Sequence, residues 1–272
     1  MAGGVAREIE LHEAKAWAAC VEAAAQADGN PLGASVDESP GIAVPALAAV
    51  DAGLFNRVIG LGVRAPADDA VIEAVLASYA RRGQTDIVVE ATPAGRPDDL
   101  RERLAAHGLV DTGYRQAKTW QAPALYDGPG MDDVIRLDPD DADEFAQVNM
   151  LAWRVPAFLA VWFAATLFAD DFRHFGVKVG GRLVSTGAMY VSDGMAWLGF
   201  GATLPEHRGR GMQTALLARR VHEAATLDCH IVHSDTAASS AEARSPSLAN
   251  MLEVGFQHVY DKEWWSFPTN RE

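Results

Sequence analysis

The chain has 272 residues, long for one ordinary domain and comfortable for two, with the apolar and charged fractions of a globular protein. Its formal net charge of −14 argues against a nucleic-acid or membrane partner, whose attraction needs basic surface, and is compatible with a cationic acceptor such as an amine. Cys20 and Cys229 lie far apart without metal-type spacing, which predicts reduced, buried thiols in a cytoplasmic protein and no metal site.

The first residues, MAGGVAREIELHEAKAWAACVEAAAQ, carry acidic groups and no continuous apolar core, unlike a secretory signal. Alanine and apolar positions at helical spacing predict a helix over 9–27, ended by Asp28-Gly29-Asn30-Pro31. A loop to about Gly41 then leads to a strand at 42–50, broken by Pro45, and a second strand at 57–63. Residues 67–82 read as an amphipathic helix, with aspartates in the first turn, arginines in the last and Gly83 as its cap. A buried strand at 86–91, a short helix at 97–107 and one or two strands over 110–120 follow.

Ala122 to Met131, APALYDGPGM, has the proline and glycine content of a linker. It divides the chain into expected domains at 1–121 and 132–272. After it come a strand at 132–137, a helix at 141–151 and a very apolar helix at 155–167. The apolar run Val155 to Phe168 is too short to span a bilayer and reads as a buried or cleft-lining helix. Strands at 174–179 and 183–191 pair as a hairpin about Gly180-Gly181, and Asp193-Gly194 makes the next turn. A strand at 195–204, a helix at 211–225, a strand at 230–234, a helix from Ser245-Pro246 to Val254 and closing strands over 256–267 complete the chain. The expected fold class is α/β in the α+β sense, a mixed sheet with helices on both faces.

Between the strand at 195–204 and the helix that follows lies PEHRGRGMQT. The first amides of a helix have no intrahelical acceptor, and the helix dipole adds partial positive charge there. Gly209 and Gly211 allow close backbone approach, and Arg208 and Arg210 add formal charge, so the stretch is a candidate diphosphate cradle. No Gly-Lys-Ser/Thr run of a nucleotide P-loop is present.

Arg208-Gly209-Arg210-Gly211-Met212-Gln213 resembles motif A of the GNAT acyltransferases, Gln/Arg-x-x-Gly-x-Gly/Ala. Gln213 replaces the final small residue, a departure expected on the outward turn. The element order after the linker is similar to that of the family. The resemblance implies that acetyl-CoA, or another short acyl-CoA, is bound by His207, Arg208, Gly209, Arg210, Gly211, Met212, Gln213 and Thr214. It implies that the pantetheine arm runs along Gly201, Ala202 and Thr203, on a strand whose splay Gly199 and Gly201 would ease. Asn250 matches an asparagine that touches the arm in the family, with Ser247 a neighbour from the same turn.

The two halves echo each other at an offset of roughly 140 residues. VIGLGV matches LGFGATL, DIVVEATPAG matches HIVHSDTAAS, and LAAHGLV matches NMLEVGF. The chain therefore resembles two tandem GNAT-like folds. The first copy reads RAPADDAV where the second has its Gly/Arg turn. Carboxylates there compete with phosphate for the same amides, so the first copy is expected not to bind CoA. Tandem copies also let a monomer mimic a dimer.

Acyl transfer to an amine needs a deprotonated amine, an oxyanion site and a proton for the leaving thiolate. The tyrosine that many family members carry four residues after the asparagine is Val254 here, and the strand 195–204 lacks the carboxylate often used as base. Substitutes are Tyr190, Asp193, Glu206, His233, Asp235 and Tyr260. Trp153, Phe158, Trp162 and Phe163 are candidates for an aromatic acceptor pocket, with the packed core as the competing reading. The expected activity is N-acylation of a small-molecule amine. An acyl-CoA-binding module without turnover and a protein N-terminal acetylase are the alternatives.

Overall fold

The computed structural model describes residues 2–39, 42–240 and 245–268. They form two compact units, one of residues 1–116 with 259–272 and one of residues 117–258. The division does not follow the linker expected at 122–131. The chain's last strand belongs to the first unit, and the strand that closes the first half is divided between the two.

The first unit begins with α1 (Ala2–Ala25) and a two-stranded antiparallel sheet of β1 (Ala34–Ser39) and β2 (Ile42–Leu47). β1 lies in the stretch read as loop. ASVDES has no apolar alternation to announce a strand, but Asn30 fixes its start by bonding both backbone groups of Ala34. Pro45 does not break β2. It pairs with Val36 in a two-stranded sheet, where a missing N–H is tolerated, and its carbonyl accepts the Tyr79 hydroxyl at 2.9 Å.

β3 is short (Arg57–Val58), because Gly60 and Gly62 take positive φ and turn the chain. Then come α2 (Asp69–Arg81), β4 (Val88–Ala91), α3 (Leu100–Ala106) and β5 (Val110–Gln121), a single strand. The unit's strands run in the order β3-β4-β11-β5, with β3 parallel to β4 and β11 antiparallel to it. Val44, Leu61, Ile72, Val75, Tyr79 and Val89 are buried in its core.

The second unit has β6 (Val134–Leu137), α4 (Ala142–Trp153), α5 (Ala160–Ala165), β7 (Phe172–Val179), β8 (Arg182–Ser192), β9 (Met195–Thr203), α6 (Met212–Thr226), β10 (Ile231–Ala237) and α7 (Pro246–Glu253). Strands β6 to β9 form an antiparallel meander, β10 adds parallel to β9, and residues 117–121 of β5 lie beyond β10. The helix expected over 155–167 is three pieces, with 3-10 turns at Ala157–Leu159 and Thr166–Phe168 flanking α5. The Thr166 hydroxyl donates to the Phe163 carbonyl, competing with the helical ladder. The closing strands are one strand, β11 (Gln257–Ser266), which contains no glycine or proline that would turn a hairpin.

The succession β3-α2-β4-α3-β5 recurs as β9-α6-β10-α7-β11. The chain thus carries two copies of one unit of structure in a mixed α/β fold with a mixed sheet. Among the described residues, no helix is long and apolar enough to cross a membrane.

Candidate functional site

β9 delivers the chain through a 3-10 turn (Pro205–His207) to the start of α6. Gly209 and Gly211 have φ of +73° and +75°, the left-handed region that glycine adopts without strain, and a Cβ at either would meet nothing within 4 Å. Gly211 is the N-cap of α6; no side chain caps the helix, and no carboxylate stands in its first turn. Its fifteen residues end in amides at Met212, Gln213 and Thr214 that lack intrahelical acceptors. Arg208 is braced by its Nε on the Thr203 carbonyl at 3.1 Å, and Arg210 bonds the Glu206 carbonyl at 3.2 Å. The buried Nδ1 of His207 has no hydrogen-bond partner. An open, uncapped, positively charged turn of this kind fits a diphosphate.

Beside it the sheet divides. The β9–β10 register ends at Leu198 with Ser234, while β9 continues to Thr203 and β10 to Ala237. β9 also carries a bulge. Its register with β8 shifts between Thr186 and Ala188, which face Ala202 and Gly199, so one extra residue is accommodated. Phe200 sits in the bulge at φ +52°, a strained conformation for a residue other than glycine.

Gln213 and Arg220 stand seven residues apart on α6 and both face the sheet. Gln213 is turned inward, which corrects the outward placement expected from the motif. Its Nε2 lies 2.8 Å from the Ala202 carbonyl, 3.0 Å from that of Thr186, and 3.0 and 3.1 Å from the hydroxyls of Ser185 and Thr203. Its backbone N–H remains one of the first-turn amides of α6. Arg220 is buried and donates to the carbonyls of Leu216, Ala188 and Gly199 at 2.9, 2.9 and 3.1 Å. Burial pushes it down to about 9. Nothing in the sequence distinguishes it from its neighbour Arg219, except that it lies four residues after Leu216 on the apolar stripe.

On the opposite face Phe200 is the hub of an aromatic cluster. Its ring centroid lies 5.9 to 6.3 Å from those of Phe145, Trp153, Phe163 and Trp197. Trp162 and Phe163 are fully buried, so these two acceptor candidates are core. Trp153 is half-buried, and Phe158 is exposed.

The proton-transfer candidates separate by position. Tyr190 and His233 are buried, with Tyr190 against Phe172 at 5.1 Å between rings. Glu206 and Asp193 are exposed on turns. Asp235 stands on β10 past the last residue paired with β9, accepts the Trp197 indole N–H at 3.1 Å and lies 3.9 Å from the buried ammonium of Lys118. Of the six candidates, it alone combines partial burial with a place at the divergence. Sequence reading missed Lys118, whose full burial no local pattern announces. Val254 is buried in the core. Asn250 lies half-buried in the middle of α7, and Ser247 is exposed near the start of that helix.

Tyr260 belongs to the first unit and donates to Glu10 at 2.6 Å; burial and that carboxylate raise its pKa. It lines a cavity of about 470 Å³ with Arg7, Val63, Pro93 and Arg96. Next to it, Lys262 pairs with Glu13 and Glu90 at 2.8 and 2.5 Å, and Arg57 pairs with Glu90 at 3.0 Å, all buried. The helix start that corresponds to the cradle is closed here: Asp68 caps α2 by accepting the Val71 N–H at 3.0 Å. Among the described residues, no group of three His, Cys, Asp or Glu is disposed to hold a metal.

Residues 140–245 match the family model described as the acetyltransferase (GNAT) family. Among solved structures, the chain is similar to a GCN5-related N-acetyltransferase from Kribbella flavida, with TM-score 0.62, 16% identity, and 92% of this chain and 96% of that one covered. A putative GNAT-family acetyltransferase from Novosphingobium aromaticivorans matches with TM-score 0.54, 17% identity and 92% and 97% coverage. A tandem GNAT protein from the clavulanic acid biosynthesis pathway matches with TM-score 0.51, 16% identity and 74% and 70% coverage. These likenesses are of fold. No curated protein matches the chain.

Proposed function

We propose, for a chain whose residues 140–245 match the model of the GNAT acetyltransferase family, that it is an N-acyltransferase moving an acetyl or other short acyl group from acyl-CoA to a small-molecule amine. One observation supports this above the others: an uncapped helix start with open glycines lies beside the point where two parallel strands part. Such a crevice at the carboxyl ends of parallel strands suits a ligand with a charged head and an extended tail.

In this reading the amides of Gly209 to Thr214, with Arg208 and Arg210, hold the diphosphate. The tail follows the edge of β9 from Gly201 to Thr203, and Asn250 meets it from α7. The ammonium gives one proton to water, its nitrogen attacks the thioester carbon, the C–S bond breaks, and the second proton shed by that nitrogen ends on sulfur. Asp235 is the carboxylate that receives the acceptor ammonium. The Trp197 indole N–H orients it through a hydrogen bond, and the Lys118 ammonium lies 3.9 Å away.

The test is release of free CoA thiol from acetyl-CoA across a panel of small primary amines. Turnover with at least one amine class supports the reading, and no release with any overturns it. A second reading, an acyl-CoA-binding module without turnover, is favoured by the buried Val254 at the family's tyrosine position. It predicts stabilisation of the fold by acetyl-CoA with no thiol released. We also read the protein as a monomer in the cytoplasm; sedimentation of the full chain checks the first point.

A further inference from the structure

We propose that Gln213 and Arg220 are positioning residues that clamp the β9 bulge and so set the slot for the acyl-pantetheine arm, an inference that rests on the acyl-CoA reading above. The bulge spans Gly199 to Ala202. Arg220 binds the carbonyl at one end, Gly199, and Gln213 binds the carbonyl at the other, Ala202. Each also binds the facing carbonyl of β8, Ala188 for Arg220 and Thr186 for Gln213. Two side chains of one helix face therefore bracket the irregular segment across both strands.

The strands meet the clamp with matching gaps. Gly187 stands under the guanidinium, where a Cβ would lie 2.6 Å from Cζ, and a Cβ on Gly201 would lie 3.0 Å from the Gln213 Oε1. From the other face, Phe200 anchors the bulge in the aromatic cluster at φ +52°. A non-glycine residue persists in that conformation only where its surroundings over-determine it, and such strain concentrates at ligand sites.

The clamp also acts on peptide dipoles. A cation on the Gly199 carbonyl polarises the peptide it shares with Phe200, making the Phe200 N–H a stronger donor. Gln213 does the same for the peptide between Ala202 and Thr203. A plain core residue at either position supplies neither effect. Placing a guanidinium and an amide there, where apolar side chains are cheaper to bury, points to a need for one fixed bulge geometry.

The experiment compares two ligands on the full chain by calorimetry. Acetyl-CoA carries the arm; 3′-phospho-ADP, adenosine with a 3′-phosphate and a 5′-diphosphate, carries only the nucleotide end and the diphosphate assigned to the cradle. The variants are Gln213→Ala, Gln213→Leu and Arg220→Gln, with circular dichroism to establish folding. The expected result is that 3′-phospho-ADP affinity stays within about twofold of wild type while acetyl-CoA affinity falls at least about tenfold, the effect of losing buried hydrogen bonds to the arm's strand. Equal losses for both ligands, or no loss for either, overturn the clamp. If Arg220→Gln does not fold, the two Gln213 variants decide. If the wild-type chain binds neither ligand, the acyl-CoA reading fails first and the clamp with it.

Discussion

The Trp197 indole N–H donates to the Asp235 carboxylate across 3.1 Å, joining β9 to β10 just beyond the point where their pairing ends. The bond aims a carboxylate at the mouth of the divergence, with the Lys118 ammonium 3.9 Å behind it. If that carboxylate receives the acceptor, Asp235→Asn lowers kcat/KM for the amine about a hundredfold and leaves acetyl-CoA affinity unchanged. Trp197→Phe keeps an aromatic side chain and removes one hydrogen bond, so its effect is nearer tenfold. Steady-state kinetics with each substrate varied in turn read both numbers. An unchanged amine KM and kcat in Asp235→Asn contradicts the assignment.

The first unit closes its corresponding helix start with its own carboxylate. Asp68→Ala removes the cap from α2 and is expected to destabilise the fold by about 1 kcal/mol. The full chain is expected to take up one equivalent of acetyl-CoA, because the Asp68 carboxylate stands at the start of α2 and occupies the Val71 N–H. A second equivalent in wild-type calorimetry contradicts that account of the first copy.

His174 gives the fold a defined acid sensitivity. Thr166 spends its proton on the Phe163 carbonyl, so its oxygen accepts from the His174 Nε2–H at 2.9 Å and fixes the neutral tautomer. Burial pushes the His174 pKa down to about 3, with Arg136 adding to the shift. The unfolded chain binds a proton near pH 6.5 and the folded chain does not, so this contribution to stability is complete above about pH 6.5. It falls by about 1.4 kcal/mol per pH unit as pH drops toward 3. Denaturant unfolding across that range shows the slope in wild type, and His174→Phe flattens it. An identical slope in both proteins contradicts the assignment.

Lys262 stands between two buried carboxylates. Lys262→Met leaves Glu13 and Glu90 without their shared cation and is expected to cost about 3–5 kcal/mol in denaturant unfolding. Adding Glu13→Gln restores part of that loss, since one uncompensated charge is removed. A single variant as stable as wild type contradicts the network's role.

Local chemistry made some of these elements legible before any coordinates. The strand-to-helix turn announces itself because Gly209 and Gly211 stand between a strand pattern and a helix pattern, and the proline and glycine punctuation places most helices and the β7–β8 hairpin. What escaped depends on three-dimensional partners. Strand β1 has no apolar rhythm and forms because β2 and Asn30 hold it. One long β11 replaces the expected pair of strands because its neighbours, β4 and β5, come from the distant first half of the chain. Trp162 and Phe163 look equally suited to a pocket or a core, and only burial decides for the core. Arg220 reads as one of two surface arginines until the backbone carbonyls of β8 and β9 are seen around it.

The most direct test is acetyl-CoA calorimetry on wild type, Gly211→Glu and Gly211→Asn. Both variants place a side chain at φ +75°, a strain of about 1 kcal/mol that asparagine tolerates best, but only glutamate puts a negative charge at the uncapped start of α6. The account predicts binding to wild type, weakened binding to Gly211→Asn and none to a folded Gly211→Glu. Wild-type affinity retained in Gly211→Glu contradicts it.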